Sequence, residues 1–340
     1  MKSLTQKLSA KSEDISSIGT IYLGGGTPSQ LAISQLQQLF DAIDSSFNVS
    51  PGAEVTIECN PDDVTATYAD ALPPLSVNRV SMGAQTFNDS RLRFLHRRHT
   101  ASQVTEAVRH LRRAGIGNVS IDLMYGFPGE TLDDWQRDID AALTLGVEHL
   151  SAYCLTIEEG TPLFEKMYNG SDNSLETCDE KLQRLMYYTL TDRLHAAGYE
   201  HYELSNFARP GHRSRHNSSY WTDVPYFGLG AAAHSYYGRQ RWWNPANIIH
   251  YIKGVEDNQL EHEAETIDAA TYYNDLVMLR LRTREGIDLS LLTEADLRYL
   301  LPLAAKHIGS GLLVKEGNSL HLSREGLFLS DLVISDLMRI

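Results

Sequence analysis

From residue 20 to residue 155 the chain alternates short β-type runs with amphipathic helical stretches. A run at 20–23 (TIYL) ends in three glycines, and residues 34–47 then place Leu36, Leu39, Phe40 and Ile43 at helical spacing. Residues 54–59 alternate as a strand, which Asn60, Pro61 and Asp62 break. A strand stub at 79–82 leads, after a loop, to a helical stretch at about 102–114 that Gly115 stops. A strand at 119–124 closes on Gly126-Phe127-Pro128-Gly129, a helix spans 132–145 up to Gly146, and a further strand fills 149–155. Repeated β-loop-α units of this length predict a parallel sheet with right-handed crossovers. Each strand runs into a polar or glycine-containing loop. In (β/α) barrels such strand ends carry the chemistry, which directs attention to Thr27, Glu58, Gln85 and Asp122.

Beyond residue 155 the pattern changes. Residues 160–162 and the polar stretch 169–177 read as loop, a long helix follows over 179–197 to Gly198, and a strand covers 201–204. Residues 205–245 are rich in aromatics, His and Gly and show no clean period. From about 266 the order is helix, helix, a hairpin (LLVKEGNSLHLS) turning at Glu316, Gly317 and Asn318, then a closing helix to 338. That order is winged-helix-like.

Composition narrows the function classes. The 340 residues carry 30 Lys and Arg against 44 Asp and Glu, a net charge of -14, so a phosphate backbone is repelled, which argues against general nucleic-acid binding. The winged-helix-like tail is itself acidic, with 8 Lys and Arg against 12 Asp and Glu from residue 262 on, and lacks a basic recognition helix. No apolar run approaches the roughly 18 residues of a membrane span, and the first residues show no apolar signal core. A cytoplasmic protein is expected. Cys59, Cys154 and Cys178 are the only cysteines and no two share a metal-ligand spacing. That excludes a disulfide framework, a zinc ribbon and a cysteine-ligated iron–sulfur cluster drawn from this chain alone.

The candidate residues each have a bland and a functional reading. Gly24-Gly25-Gly26-Thr27-Pro28 lets a ligand approach the backbone, but its spacing is neither a dinucleotide fingerprint nor a P-loop, and a tight turn without a ligand is the alternative. Glu58 reads equally as a solvated carboxylate. Asp122, inside an apolar strand, is costly unless paired, and Arg97 in LHRRH supplies a permanent cation. His216 in RHNSSYW, with Tyr220 and Trp221 close behind, suits either an iron ligand beside flat aromatics or a hydrogen-bonded core histidine. The run FGLGAAAHS points to close backbone packing.

Taken in order, TIYLGGGTPSQL, IECNPDD, NRVSMGAQTFND, LHRRHT, SIDLMYGFPGET, LSAYCLTIEEGTPL, YELSNFARPGHRSRHNSSYW and FGLGAAAHS resemble the radical S-adenosylmethionine (SAM) proteins of the oxygen-independent coproporphyrinogen III oxidase type, with the HemW-like heme chaperones as the nearest branch. The resemblance implies a partial (β/α) barrel at 1–160, a barrel extension holding HNSSYW at 161–255, and a winged-helix-like domain at 256–340. It also implies that Gly25, Gly26 and Thr27 receive the amino group of SAM. Glu58, Gln85, Arg97 and Asp122 would surround its methionine and ribose, Thr156 would flank the adenine, and His216 would ligate heme iron. The implied partners are heme or a porphyrin and a heme-accepting protein.

One departure matters. The family's CxxxCxxC loop, which holds a 4Fe-4S cluster, should precede GGGTP, but none of the 23 residues before Gly24 is Cys. The first barrel strand is missing with it, which would leave an unpaired edge and an open core, so truncation is the favoured explanation. No radical chemistry is expected of the chain as it stands. The expected function is that of a heme chaperone. The oxidase is the alternative, and a non-catalytic porphyrin-binding or interaction protein is the second.

Overall fold

Seven strands form one sheet in the order β1-β2-β3-β4-β5-β7-β6: β1 (Ile18–Leu23), β2 (Val49–Cys59), β3 (Arg79–Gln85), β4 (Asn118–Tyr125), β5 (His149–Cys154), β6 (Glu200–Glu203) and β7 (Asn206–Ala208). The structure is a computed structural model and describes residues 17–160, 164–165 and 178–339. The sheet curls into an open half-barrel, turning 194° about its axis with its edges 18 Å apart. From β2 to β5 neighbouring strands are parallel, whereas β5 with β7 and β7 with β6 are antiparallel. The all-parallel expectation therefore stops at β5. Only Leu204 and Ser205 separate β6 from β7, and so short a link can make only a hairpin.

Helical crossovers join the parallel strands, and local chemistry fixes their ends. α1 (Ile33–Ser46) lies between β1 and β2, α2 (Ala66–Ala71) between β2 and β3, and α3 (Asp89–Phe94) and α4 (Ala101–Arg113) between β3 and β4. α5 (Leu132–Leu145) leads to β5 and α6 (Glu180–Ala196) to β6. Thr131 and Asp134 form a capping box at the start of α5, and Gly146 stops it in the left-handed conformation at φ +61°.

Alternation divides the parallel strands into two unlike faces. Ile57, Val80, Met82, Val119, Ile121 and Leu123 are buried and apolar. Between them stand Thr56 and Glu58, Arg79 and Ser81, and Ser120 and Asp122. The register lines these polar residues up in rows: Thr56, Arg79 and Asn118; then Glu58, Ser81, Ser120 and His149; then Asp122 with Ser151. The concave polar face is the feature that positions the site below.

The chain divides into two compact units, one made of Tyr22–Ile33 and Glu54–Arg213, the other of the described parts of Met1–Ile21, Ser34–Ala53 and Ser214–Ile340. In the second unit, α7 (Arg215–Tyr220) precedes a three-stranded sheet of β8 (His234–Tyr237), β9 (Gln240–Trp243) and β10 (Glu263–Thr266), with α8 (Ile248–Glu256) between β9 and β10. Gly238 and Arg239 both take positive φ and turn β8 into β9, as a two-residue hairpin requires. The stretch that showed no period thus consists of elements three to six residues long. The glycine-rich run before β8 packs closely, because a Cβ on Gly228 would strike the His234 carbonyl oxygen. The tail folds as α9 (Ala269–Arg280), α10 (Glu294–Gly309), the hairpin β12 (Leu313–Glu316) and β13 (Ser319–Leu322), and the closing helices α11 (Arg324–Phe328) and α12 (Ser330–Leu337). β11 (Ile287–Asp288) pairs with β13 to complete a winged-helix-like domain.

Candidate functional site

Glu58 organises the glycine loop. Its Oε1 accepts from the Tyr22 hydroxyl at 2.7 Å and its Oε2 from the Gly25 backbone N–H at 3.2 Å. Gly24 admits this approach: a Cβ there would lie 2.5 Å from the Tyr22 ring and 2.9 Å from Glu58 Oε1. Gly25 and Gly26 follow at φ +74° and +82°, a backbone that L side chains rarely adopt. The loop is tied down beyond them, since the Ser29 hydroxyl donates to Asp63 at 2.6 Å and accepts from the Asn60 N–H at 3.2 Å. Arg98 bridges Asp62 and Asp63, each at 3.0 Å. Burial and the neighbouring Glu58 carboxylate push the Tyr22 phenol well above its ordinary range, so it stays a donor.

The next strand end is built on Gly83. Arg97 Nη2 donates to the Gly83 carbonyl at 3.3 Å, and a Cβ on Gly83 would come within 2.5 Å of both Arg97 Nη2 and Gln85 Nε2. Gln85 reaches back over Gly83 from a left-handed backbone at φ +65°, beside a register shift between β3 and β4. Burial draws the Arg97 pKa down while Asp122 favours its charge, and Arg97 Nε is buried without a hydrogen-bond partner. Burial lifts the Asp122 carboxyl to about 6. A hydrogen bond with Ser151 and the charges of Arg79 and Arg97 oppose the shift, and Glu58 adds to it. Asp122 is thus held where it can exchange a proton near neutrality.

The structure therefore joins Gly25 to Glu58, seats Gln85 and Arg97 together on Gly83, and puts Asp122 in the field of Glu58 and Arg97. Thr27 begins the 3-10 turn Pro28–Gln30 without a side-chain cap bond, and Gly26 has open space where a Cβ would stand. Thr156 is exposed in the loop after β5. Sequence reasoning overlooked Tyr22, although its place two residues before the glycines puts it on one face of β1 near any carboxylate of the next strand. The orphaned Arg97 Nε and the open glycine backbone fit a ligand that carries both acceptor and donor groups, as an amino-acid moiety does.

His216 belongs to the second unit. Ser214 caps α7 by accepting from the Asn217 N–H at 3.2 Å. His216 Nδ1 lies 2.9 Å from Thr20 Oγ1 and Nε2 lies 2.8 Å from the Tyr220 hydroxyl, with the Tyr220 ring edge-on at 5.1 Å. Tyr220 is exposed and meets Tyr226 edge-on at 4.8 Å, while Trp221 Nε1 is buried without a hydrogen-bond partner. The Thr20 bond fixes the ring, and the exposed Tyr220 phenol meets Nε2. The unsatisfied indole N–H beside it fits a ligand with a peripheral acceptor, as a heme propionate is.

Comparison with known proteins shows the family. The Radical SAM superfamily profile matches residues 5–142, and the HemN C-terminal domain profile matches residues 267–329. A heme chaperone HemW of Mycobacterium tuberculosis is 34% identical over 333 residues, covering 98% of this chain and 84% of the relative. The chain belongs to the HemW/HemN family of radical SAM proteins. The HemW of Bacillus subtilis is 33% identical over 318 residues, covering 92% of this chain and 83% of its own. Among solved structures, the HemN coproporphyrinogen III oxidase of Escherichia coli, a radical SAM enzyme, superposes with a TM-score of 0.83 at 19% identity, covering 99% of this chain and 82% of that one. At that identity the likeness is one of fold.

The HemW/HemN membership sharpens the cysteine question. The family's cluster motif is absent from this sequence. Among the described residues no group of three or more His, Cys, Asp or Glu is arranged to hold a metal ion. Burial pushes the Cys59 thiol up to about 12 and the Cys154 thiol up to about 11, and raises that of Cys178, which disfavours the thiolates that iron requires. The residues of this chain do not fit a 4Fe-4S cluster. Among the described residues, no helix is long and apolar enough to cross a membrane.

Proposed function

We propose that this chain is a heme-handling protein of the HemW type, which binds heme through His216 and SAM over the strand ends of the half-barrel. The observation that carries the reading is the His216 corner: one ring nitrogen is anchored to Thr20, the other faces an exposed phenol, and Trp221 offers an unused donor. Heme, when bound, would supply a flat macrocycle and an iron that the His216 imidazole could ligate. The chain's part is then to hold the ring by its Nδ1 bond, swing the Tyr220 hydroxyl off Nε2, and offer aromatic faces to the porphyrin.

On the half-barrel, Gly25 and Gly26 would take the amino group of SAM, and Thr27 would line the same turn. Glu58, Gln85, Arg97 and Asp122 would hold its methionine and ribose portions, and Thr156 would border the adenine. Those residues position the ligand; no reaction step follows from them, because the chain carries no cluster motif. A heme-accepting protein is the partner this role requires. Both curated relatives above carry the name heme chaperone, which supports the chaperone over the oxidase.

The test is hemin titration into wild type and His216→Ala, matched for folding by circular dichroism. Loss of the wild-type Soret band in the variant is the expected result; identical spectra and affinities in the two proteins remove His216 as the ligand.

A further inference from the structure

The antiparallel return of β7 and β6 carries one polar row of the half-barrel past the parallel strands. Asp122 on β4 pairs with Ser151 on β5, Ser151 with Asn206 on β7, and Asn206 with Glu203 on β6. Paired residues project from the same face of a sheet, so these four side chains stand side by side on the concave face. Ser151, Asn206 and Glu203 are 4%, 7% and 5% exposed. Tyr153, two residues beyond Ser151 and on the same face, is 45% exposed and forms the open side of this corner.

One acceptor in the row is left over. Asn206 Nδ2 donates to Glu203 Oε1, which fixes the direction of the amide, and Asn206 Oδ1 is buried without a hydrogen-bond partner. Ser151 stands next to it but has one hydroxyl proton, on which Asp122 and the Tyr153 phenol both draw. His149, two residues back on β5, is spent on Ser120 at 2.7 Å and Tyr202 at 2.8 Å. A buried amide oxygen without a donor is rare, and this one lies in a row with a carboxylate on either side. What the corner lacks is a donor. The charges of Asp122 and Glu203, both of which act on Tyr153, favour a positive one.

We infer that Asp122, Ser151, Asn206 and Tyr153 form a subsite for a primary ammonium group, which donates to Asn206 Oδ1 and to the Asp122 carboxylate and rests against the Tyr153 ring. Neighbouring strands are about 4.8 Å apart, so Asp122 and Asn206 flank Ser151 across about 10 Å of backbone, a span that two short side chains and one ammonium between them can bridge. The exposed Tyr153 ring adds the attraction of an aromatic face for a cation. The same carboxylates repel a carboxylate or phosphate ligand. Two sources carry an ammonium: the amino group of SAM and a separate amine-bearing ligand. Choosing between them rests on the proposed function; the subsite itself does not.

The experiment follows melting temperature against propylammonium chloride at pH 7.5, above the range in which Asp122 takes up a proton. Potassium chloride, tetramethylammonium chloride and neutral propionamide are the controls. Wild type should respond saturably to propylammonium alone, by about 3 °C at ten times its Kd. Tetramethylammonium has the charge without an N–H, and propionamide the N–H without a charge, so neither should reproduce the rise. The response should vanish in Asn206→Leu and in Asp122→Asn. Tyr153→Leu, a change at a half-exposed position, should weaken the apparent affinity about threefold. If Asn206→Leu does not fold, Asp122→Asn and Tyr153→Leu decide. No saturable rise in wild type, an equal rise with propionamide, or equal responses in wild type and variants overturns the subsite and leaves water on Asn206.

Repeating the titration on protein saturated with SAM identifies the source. A response that SAM abolishes assigns the subsite to the amino group of SAM, and one that persists assigns it to a second, amine-bearing ligand. If wild type does not bind SAM, the proposed function fails while the propylammonium result still decides the subsite.

Discussion

Glu58, Gln85, Arg97 and Asp122 come from three strands and a loop, fastened to Tyr22 and to the backbone of Gly25 and Gly83 and coupled through charge, whereas His216, Ser219 and Tyr220 sit on one six-residue helix and meet Thr20 and Tyr226 from elsewhere in the chain. The first region is a set of partly buried polar and charged groups; Asp122 titrates near 6 because burial and Glu58 are set against the Ser151 hydrogen bond and the charges of Arg79 and Arg97. The second is a set of hydrogen bonds at i,i+3 and i,i+4 spacing with an exposed phenol at its rim. A substitution in the first should therefore spread through the group, and one in the second should stay local.

The largest effect tests the first half of that contrast. Replacing Glu58 with Ala removes the acceptor of both the Tyr22 hydroxyl and the Gly25 N–H, and isothermal titration should find SAM affinity reduced about 100-fold, or about 2.7 kcal/mol. A change under threefold would mean that Glu58 does not organise the loop.

Asp122 offers a pH test. Its folded pKa, about 6, lies above the ordinary value of 3.8, so between those two the folded protein binds more protons than the unfolded chain. The stability it contributes is present in full below about 3.8 and is lost as pH rises through about 6, on the order of 3 kcal/mol in all. Urea midpoints from pH 4.5 to 7 should fall more steeply for wild type than for Asp122→Asn. Glu130, lifted to about 7 by burial, slopes the same way in both proteins, so the difference isolates Asp122.

Gly24→Ala should lower stability by about 1.5 kcal/mol in chemical denaturation, because the new methyl group must displace the Tyr22 ring or the Glu58 carboxylate. An alanine protein as stable as wild type would show that the loop is looser than its contacts indicate. The smallest effect belongs to the helix. Tyr220→Phe uncovers His216 Nε2 without touching the Thr20 bond, and hemin should bind roughly threefold tighter. Weaker binding would instead make the phenol a contact of the heme.

Legibility followed element length and the origin of each contact. The strands from 18 to 154 and the helices α1, α4 and α5 were readable because each carries a period and a stop signal; the helix expected at 132–145 is α5, closed by Gly146 as anticipated. α3 and α8 went unread, since six and nine residues hold too few turns to show a period against their aromatic and polar surroundings. In the candidate site, the unusual loops named Glu58, Gln85, Arg97 and Asp122, but nothing in the order NRVSMG distinguishes a buried Arg79 from an ordinary strand-edge arginine.

By itself the sequence determined the alternating βα plan, the acidic charge, the absence of a cluster motif and the family, because these depend on residue type and spacing along the chain. Tertiary structure decided the antiparallel return of β6 and β7, the clasp of Tyr22 and Gly25 on Glu58, the Thr20 anchor of His216 and the burial of Arg79. The reason is physical. Each of these needs partners brought together across a sheet register or a chain reversal, and burial, not residue type, sets what a charge or a hydroxyl does there.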